Sequence, residues 1–151
     1  YEIIFHPHFR MRDVIGEFES CSARVRILRD PEEDLSRWVR YCDALVTDYS
    51  SVMYDFFYQG KAVVAFMFDR HDWETQELGP PNIDFDRDLP LDVAPSPETA
   101  VERIREVIAR EGRLTDEQKE LLGQCFRSRD GGHSESLFQE ISACLEKRCA
   151  N

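Results

Sequence analysis

The run Ala62-Val-Val-Ala-Phe-Met-Phe68 contains no polar residue. A strand with one wet face alternates apolar and polar positions. An unbroken apolar run therefore predicts a strand covered on both faces, as in a parallel sheet clad with helices. Its neighbours agree. Tyr1 to Phe5, Val25 to Leu28, Ala44 to Val46 and Leu91 to Ala94 read as further strands, with helical patterns between them. Crossovers of roughly fifteen to twenty residues suit parallel neighbours. The expected fold is α/β, a Rossmann-like parallel sheet with helices on both faces.

The helices carry their own start and stop signals. Asp30-Pro-Glu-Glu-Asp34 offers an N-cap, a proline at the first helical position and an acidic first turn, ahead of Leu35, Trp38, Val39 and Cys42 on one face. Ser96-Pro-Glu-Thr99 opens a helix with Val101, Ile104, Val107 and Ile108 inward, and Thr115-Asp-Glu-Gln118 is a capping box. Gly60 is placed to end the helix carrying Val52, Met53, Phe56 and Phe57. A short helix is expected over Met11 to Phe18. A last one begins near Ser134 and is expected to bury Leu137, Phe138, Ile141, Cys144 and Leu145. Asp69 to Leu91 reads as a long irregular segment, the kind that usually serves function or moves.

The stretch most suggestive of chemistry is Ala44-Leu-Val-Thr-Asp-Tyr-Ser-Ser-Val-Met53, where a strand enters a hydroxyl-rich turn and then a helix. Thr47, Ser50 and Ser51 offer hydroxyl donors, Ser50 is a natural N-cap, and the first N–H groups of a helix starting near Ser51 are expected to point outward without internal partners. Parallel sheets bind ligands beyond the carboxyl ends of their strands. His8, Asp48 to Ser51 and Asp69 to His71 all follow strand ends, so one crevice is expected to gather them. For His8 the plain alternative is a turn histidine beside Pro7.

Other features exclude function classes. A net charge of −11 argues against nucleic-acid binding, which rests on Lys and Arg neutralising phosphates. Cys21, Cys42, Cys125, Cys144 and Cys149 are odd in number and form no CxxC pair, so neither a disulfide framework nor a zinc site is suggested. His6 and His8 flank Pro7 without a further ligand. Asp84-Phe-Asp-Arg-Asp88 starts like a calcium loop but has Leu89 where glycine is required and Pro95 where the closing glutamate belongs. No metal and no cofactor are therefore expected. No apolar run reaches the roughly 20 residues of a membrane span. The length suits one domain, 1–151, and a start within a strand suggests a fragment of a longer two-domain protein.

The stretch from Asp43 through Thr47-Asp-Tyr-Ser-Ser51 and Asp55-Phe-Phe-Tyr-Gln-Gly60 to Val64 closely resembles the nucleotide-binding half of CDP-glycerol glycerophosphotransferases, the teichoic-acid polymerase family. Phe5-His-Pro-His-Phe9 resembles the family's Arg-Pro-His-Pro-like turn, with His8 at the histidine. Asp130-Gly-Gly-His-Ser-Glu-Ser136 resembles its late Asp-Gly-Asn-x-Ser-x-Arg motif. The resemblance covers nearly the whole chain. It implies the C-terminal half of a GT-B architecture, with an N-terminal domain that binds acceptor and holds another essential histidine. His8 is implied as catalytic, and Thr47, Asp48, Ser50, Ser51, Asp130, Gly131 and Ser134 as donor-binding. The implied partners are CDP-glycerol or a related CDP-polyol and a polyol-phosphate or glycan acceptor. The implied location is cytoplasmic, peripheral at the inner face of the cell membrane. His6, Gly132 and Ser136 stand where the family has Arg, Asn and a cation. Each charge-assisted bond lost with an arginine is worth roughly 1.5–3 kcal/mol. That motivates a second reading, a nucleotide-binding or regulatory module without catalysis.

Overall fold

Among the described residues five short strands form where the apolar runs stand, and every pairing among them is parallel. The computed structural model describes all residues except 21, 31–32, 76–81, 127–128 and 150–151. The strands are shared between two sheets, one of two strands and one of three. The chain divides correspondingly into two units, Tyr1–Tyr41 and Cys42–Asn151.

In the first unit β1 (Ile3–Phe5) pairs with β2 (Val25–Ile27), Ile3 opposite Val25 and Phe5 opposite Ile27. The helix expected over Met11 to Phe18 is a 3-10 helix over Phe9–Glu17. Its far end is held by Arg29, whose guanidinium donates to the carbonyl oxygens of Ile15, at 2.7 Å, and Phe18. The Phe18 ring lies 5.2 Å from that of Phe5.

The helix expected to open at Asp30 begins later, as α1 (Leu35–Tyr41). Asp34 caps it instead, its carboxylate accepting from the Ser36 N–H at 2.9 Å and the Ser36 hydroxyl at 2.8 Å. Pro31 lies outside the described residues. Trp38 and Val39 are buried as read, whereas Leu35 is exposed. The Trp38 indole donates to Glu33 at 3.0 Å, and the Arg26 guanidinium sits 5.1 Å from its ring centroid.

The Ser36 hydroxyl, then its N–H, hold the Asp34 carboxyl below the ordinary carboxylate range. A depressed folded-state value means this cap contributes fully above the unfolded carboxyl's pKa and is lost as pH falls through the lower folded value. Amide exchange at Ser36 is expected to quicken only in that acid window, and the Asp34→Asn variant should remove the transition.

In the second unit β4 (Ala62–Phe66) runs between β3 (Ala44–Thr47) and β5 (Leu91–Ala94). Successive strand residues face opposite ways, and Ala62, Val63, Val64 and Ala65 are all at most 1% exposed. Both faces of β4 are therefore covered. The strand stops at Phe66, short of the expected Phe68, which is exposed in the turn that follows.

Helix α2 (Val52–Tyr58) packs on β3 and β4. It ends in a Schellman turn: Gly60, at φ +72°, donates to Phe57 at 2.8 Å, and Lys61 donates to Phe56 at 3.0 Å. Within the segment read as irregular, Arg70–Thr75 forms α3. Helix α4 (Pro97–Ala109) packs on β4 and β5, with the Ser96 hydroxyl accepting from the Thr99 N–H at 3.2 Å. Val107 is buried as expected, but Val101 is exposed.

Beyond α4, Arg110 ties three elements together. Its guanidinium meets the Asp92 carboxylate on β5, donates to the Arg113 carbonyl at 2.6 Å and reaches Gln118 at 3.4 Å. Helix α5 (Asp116–Cys125) begins with the expected capping box.

Helix α6 (His133–Cys149) departs from expectation. Leu137, Phe138, Ile141 and Leu145 are each more than half exposed, and Cys144 is exposed too. Their spacing correctly marks an apolar stripe, but periodicity says only that a face is apolar and not that another element lies against it.

Candidate functional site

Thr47 is the last residue of β3 and pairs in register with Ala65 of β4. Asp48 to Ser51 then turn the chain into α2. Ser51, not Ser50, occupies the cap position, and its side chain makes no capping bond. The Met53 and Tyr54 N–H groups, expected to point outward, are bonded to the carbonyls of Ser50 and Ser51 at 3.2 and 3.0 Å. This first turn is wound tightly, with i to i+3 bonds. With seven residues, α2 contributes only a short dipole. The side chains of the turn include three hydroxyls, those of Thr47, Ser50 and Ser51, beside the Asp48 carboxylate.

Tyr49, in the middle of the turn, was not singled out by sequence pattern. Its ring stacks on Trp73 of α3 with centroids 4.2 Å apart and planes 1° from parallel. Phe85 closes on both rings edgewise, at 6.1 Å from Tyr49 and 5.8 Å from Trp73. The Tyr49 hydroxyl donates to Asp69 Oδ1 at 3.0 Å. Burial, and then the bond to Asp69, push the phenol well above its ordinary pKa, so it stays a donor at physiological pH. The expected meeting of Asp48 to Ser51 with the Asp69 to His71 segment is therefore realised through Tyr49. An aromatic at each of two neighbouring strand exits was the available clue.

Arg70 is the cation nearest to this cluster in sequence. Its guanidinium lies 5.7 Å from the Phe85 centroid, donates to Glu74 at 2.7 Å and pairs with Asp86. Those bonds, Glu74 first, raise its pKa further. Its charge is already engaged by two carboxylates.

The late glycine turn sits elsewhere along α2. His133 Nε2 lies 3.2 Å from the Tyr58 hydroxyl, and Arg129 donates to the Tyr58 carbonyl at 3.4 Å. Asp130 folds this turn by accepting from the Gly132 N–H at 2.9 Å, with Gly131 at φ +82°. Thr47 to Ser51 precede α2, while the segment of Asp130, Gly131 and Ser134 is fastened to its last residue. At about 1.5 Å of rise per residue, seven residues separate these two stations by roughly 10 Å.

His8 belongs to the first unit. It follows buried Pro7 and caps the 3-10 helix, its Nδ1 accepting from the Arg10 N–H at 3.3 Å. In the neutral ring that bond leaves the proton on Nε2. The turn role weighed from sequence is thus real, and it orients the imidazole. Among the described residues, no group of three or more His, Cys, Asp or Glu is placed to hold a metal ion, and no helix is long and apolar enough to cross a membrane.

Comparisons with known proteins converge. No curated protein sequence is significantly similar to this one. Two solved structures of the wall teichoic acid polymerase TagF, one a histidine-to-alanine variant, share the fold. The variant aligns at 18% identity with a TM-score of 0.66, over 100% of this chain and 36% of its own. The other aligns at 17% identity with a TM-score of 0.65, over 98% of this chain and 35% of its own. The chain thus spans about a third of the length of these structures, and at this identity the likeness establishes the α/β fold. The model of the CDP-glycerol:poly(glycerophosphate) glycerophosphotransferase family matches residues 1–143, and the chain belongs to that family.

Proposed function

We propose that this chain is the donor-binding domain of a transferase that moves glycerol phosphate, or a related polyol phosphate, from a CDP-activated donor to a hydroxyl of a cell-wall or capsular polymer. The observation that carries the reading is a family match over residues 1–143, which takes in His8, the Thr47 to Ser51 turn and the Asp130 to Ser134 segment together. The hydroxyls of Thr47, Ser50 and Ser51 donate to the donor's pyrophosphate, beside Asp48. Asp130, Gly131 and Ser134 receive the nucleotide end.

The acceptor oxygen bonds to the glycerol-bearing phosphorus as the bond to CMP breaks, and the proton of the acceptor hydroxyl passes to solvent. Charge spreads over the phosphoryl oxygens, so fixed donors dominate catalysis. His8 donates its Nε2–H to one of those oxygens and so stabilises the charge that develops there. Residues 1–151 act as one domain of a longer protein whose N-terminal domain supplies acceptor binding, at the inner face of the cell membrane where the polymer grows. Alone they bind donor without turnover.

The test is calorimetric titration of the intact protein with CDP-glycerol, CDP and UDP, in wild type and in the Ser50→Ala/Ser51→Ala variant. Hydrogen bonds to charged groups are worth about 1.5–3 kcal/mol. The variant loses two such bonds and is expected to raise the Kd for CDP-glycerol by about a hundredfold or more with an unchanged melting temperature, since Ser51 makes no capping bond. An unchanged Kd would remove the turn from the donor site. Wild-type protein that binds no cytidine nucleotide would favour the module without catalysis that His6, Gly132 and Ser136 suggest.

A further inference from the structure

We infer that Trp73 and Phe85 are positioning residues for donor binding, acting through Tyr49 to hold the Thr47 to Ser51 turn in its binding conformation. The inference rests on the reading of that turn as the pyrophosphate site.

Tyr49 is fastened at both ends. Its ring lies flat on Trp73 at 4.2 Å, and its hydroxyl donates to Asp69 at 3.0 Å. Phe85, which is buried, wedges against both rings from the segment before β5. Arg70 lies over the Phe85 ring and bonds to Glu74 within α3 and to Asp86 beside Phe85. Three chain segments, the exits of β3 and β4 and the approach to β5, therefore meet on one side chain of the turn.

The turn needs such support because its own bonds are few. Ser51 makes no side-chain cap, and α2 is short. The bonds that the Ser50 and Ser51 carbonyls accept from the Met53 and Tyr54 N–H groups tie the turn to α2, and Tyr49 ties it to the exit of β4 and the approach to β5. A site whose donors are already held in place avoids an ordering cost when ligand arrives. Loosening Tyr49 returns that cost to the binding step while leaving every hydroxyl present. Trp73 and Phe85 thus act on affinity without touching the donor.

The experiment is Trp73→Ala and Trp73→Phe in the intact protein, with calorimetric Kd for CDP-glycerol, steady-state kinetics and thermal melting. An aromatic pair contributes up to about tenfold in an equilibrium constant. Trp73→Ala is expected to raise Kd and KM about tenfold with kcat held, and Trp73→Phe, which keeps a ring against Tyr49, to restore most of the affinity. A merely structural role would lower the melting temperature and leave Kd and KM at their wild-type values in the folded fraction. Tyr49→Phe, which loses only the bond to Asp69, decides the matter if Trp73→Ala does not fold; its expected effect is about threefold on Kd, and none would overturn the inference. Wild-type affinity in a folded Trp73→Ala protein overturns it while the donor reading stands. Absence of CDP-glycerol binding in the wild type overturns the donor reading and this inference with it.

Discussion

Replacing His8 by Asn in the intact enzyme is expected to leave its stability unchanged and to slow turnover at least a hundredfold, the lower end of the roughly 10²–10³-fold lost with one donor to transition-state charge. The choice of Asn follows from the geometry. His8 caps the 3-10 helix by accepting from the Arg10 N–H, so alanine would remove a cap and an imidazole together. Asn is among the best capping residues and restores the acceptor. A loss of turnover in His8→Asn therefore reports chemistry, whereas His8→Ala should additionally lose about 0.5–2 kcal/mol of stability, the usual worth of a cap. Steady-state kinetics and thermal melting on the two variants separate the roles. Full turnover in His8→Asn would leave His8 as a capping residue only. Donor affinity measured alongside should change little, because a group that acts on the transition state need not bind the ground state.

The largest effect on stability is expected at Gly112. It sits just beyond α4 at φ +71°, where L side chains are strained. A Cβ there would stand 2.5 Å from the backbone carbonyl oxygen of Asp43, and a carbonyl cannot swing aside as a side chain can. The Gly112 carbonyl also accepts from the Ala62 N–H at 2.9 Å, at the head of the central strand. Any shift made to relieve the clash therefore disturbs β4. Left-handed strain of about 1–2 kcal/mol and overpacking of about 1–3 kcal/mol together predict a loss near 3 kcal/mol for Gly112→Ala. For a domain of this size that corresponds to roughly 10 °C in melting temperature. Gly123→Ala is the control: it lies in α5, and a Cβ there meets nothing within 4 Å. It should be neutral or slightly stabilising. Equal melting temperatures for Gly112→Ala and wild type would show that the turn relaxes freely.

Much of the architecture was legible residue by residue. The Ser96 cap, the Thr115 capping box and the Gly60 turn all appear as read, because each is decided by partners within five residues. The apolar run at Ala62 became the buried central strand for an equally general reason: only a strand covered on both faces can bury every successive side chain. The failures share a cause. Asp30 reads as the cap in sequence, whereas the bonds to Ser36 put it at Asp34. Helix α6 shows its stripe in sequence, but burial depends on a second surface, and Leu137 and Phe138 are exposed.

The candidate site divides the same way. The hydroxyl-rich turn after β3 and the glycine turn at Asp130 were visible as local patterns, since turn chemistry is carried by the residues that make the turn. Pairing Tyr49 with Asp69 joins positions 20 apart, and setting His133 against Tyr58 joins positions 75 apart. No local propensity encodes such partners. They follow from parallel pairing, which brings the exits of β3 and β4 side by side, and from the return of the chain to the far end of α2. Chain composition and short-range bonding thus set which elements form and where they stop. The packing of those elements set which side chains meet, because contacts between distant residues are chosen by the free energy of the assembled core and not by either partner's neighbours.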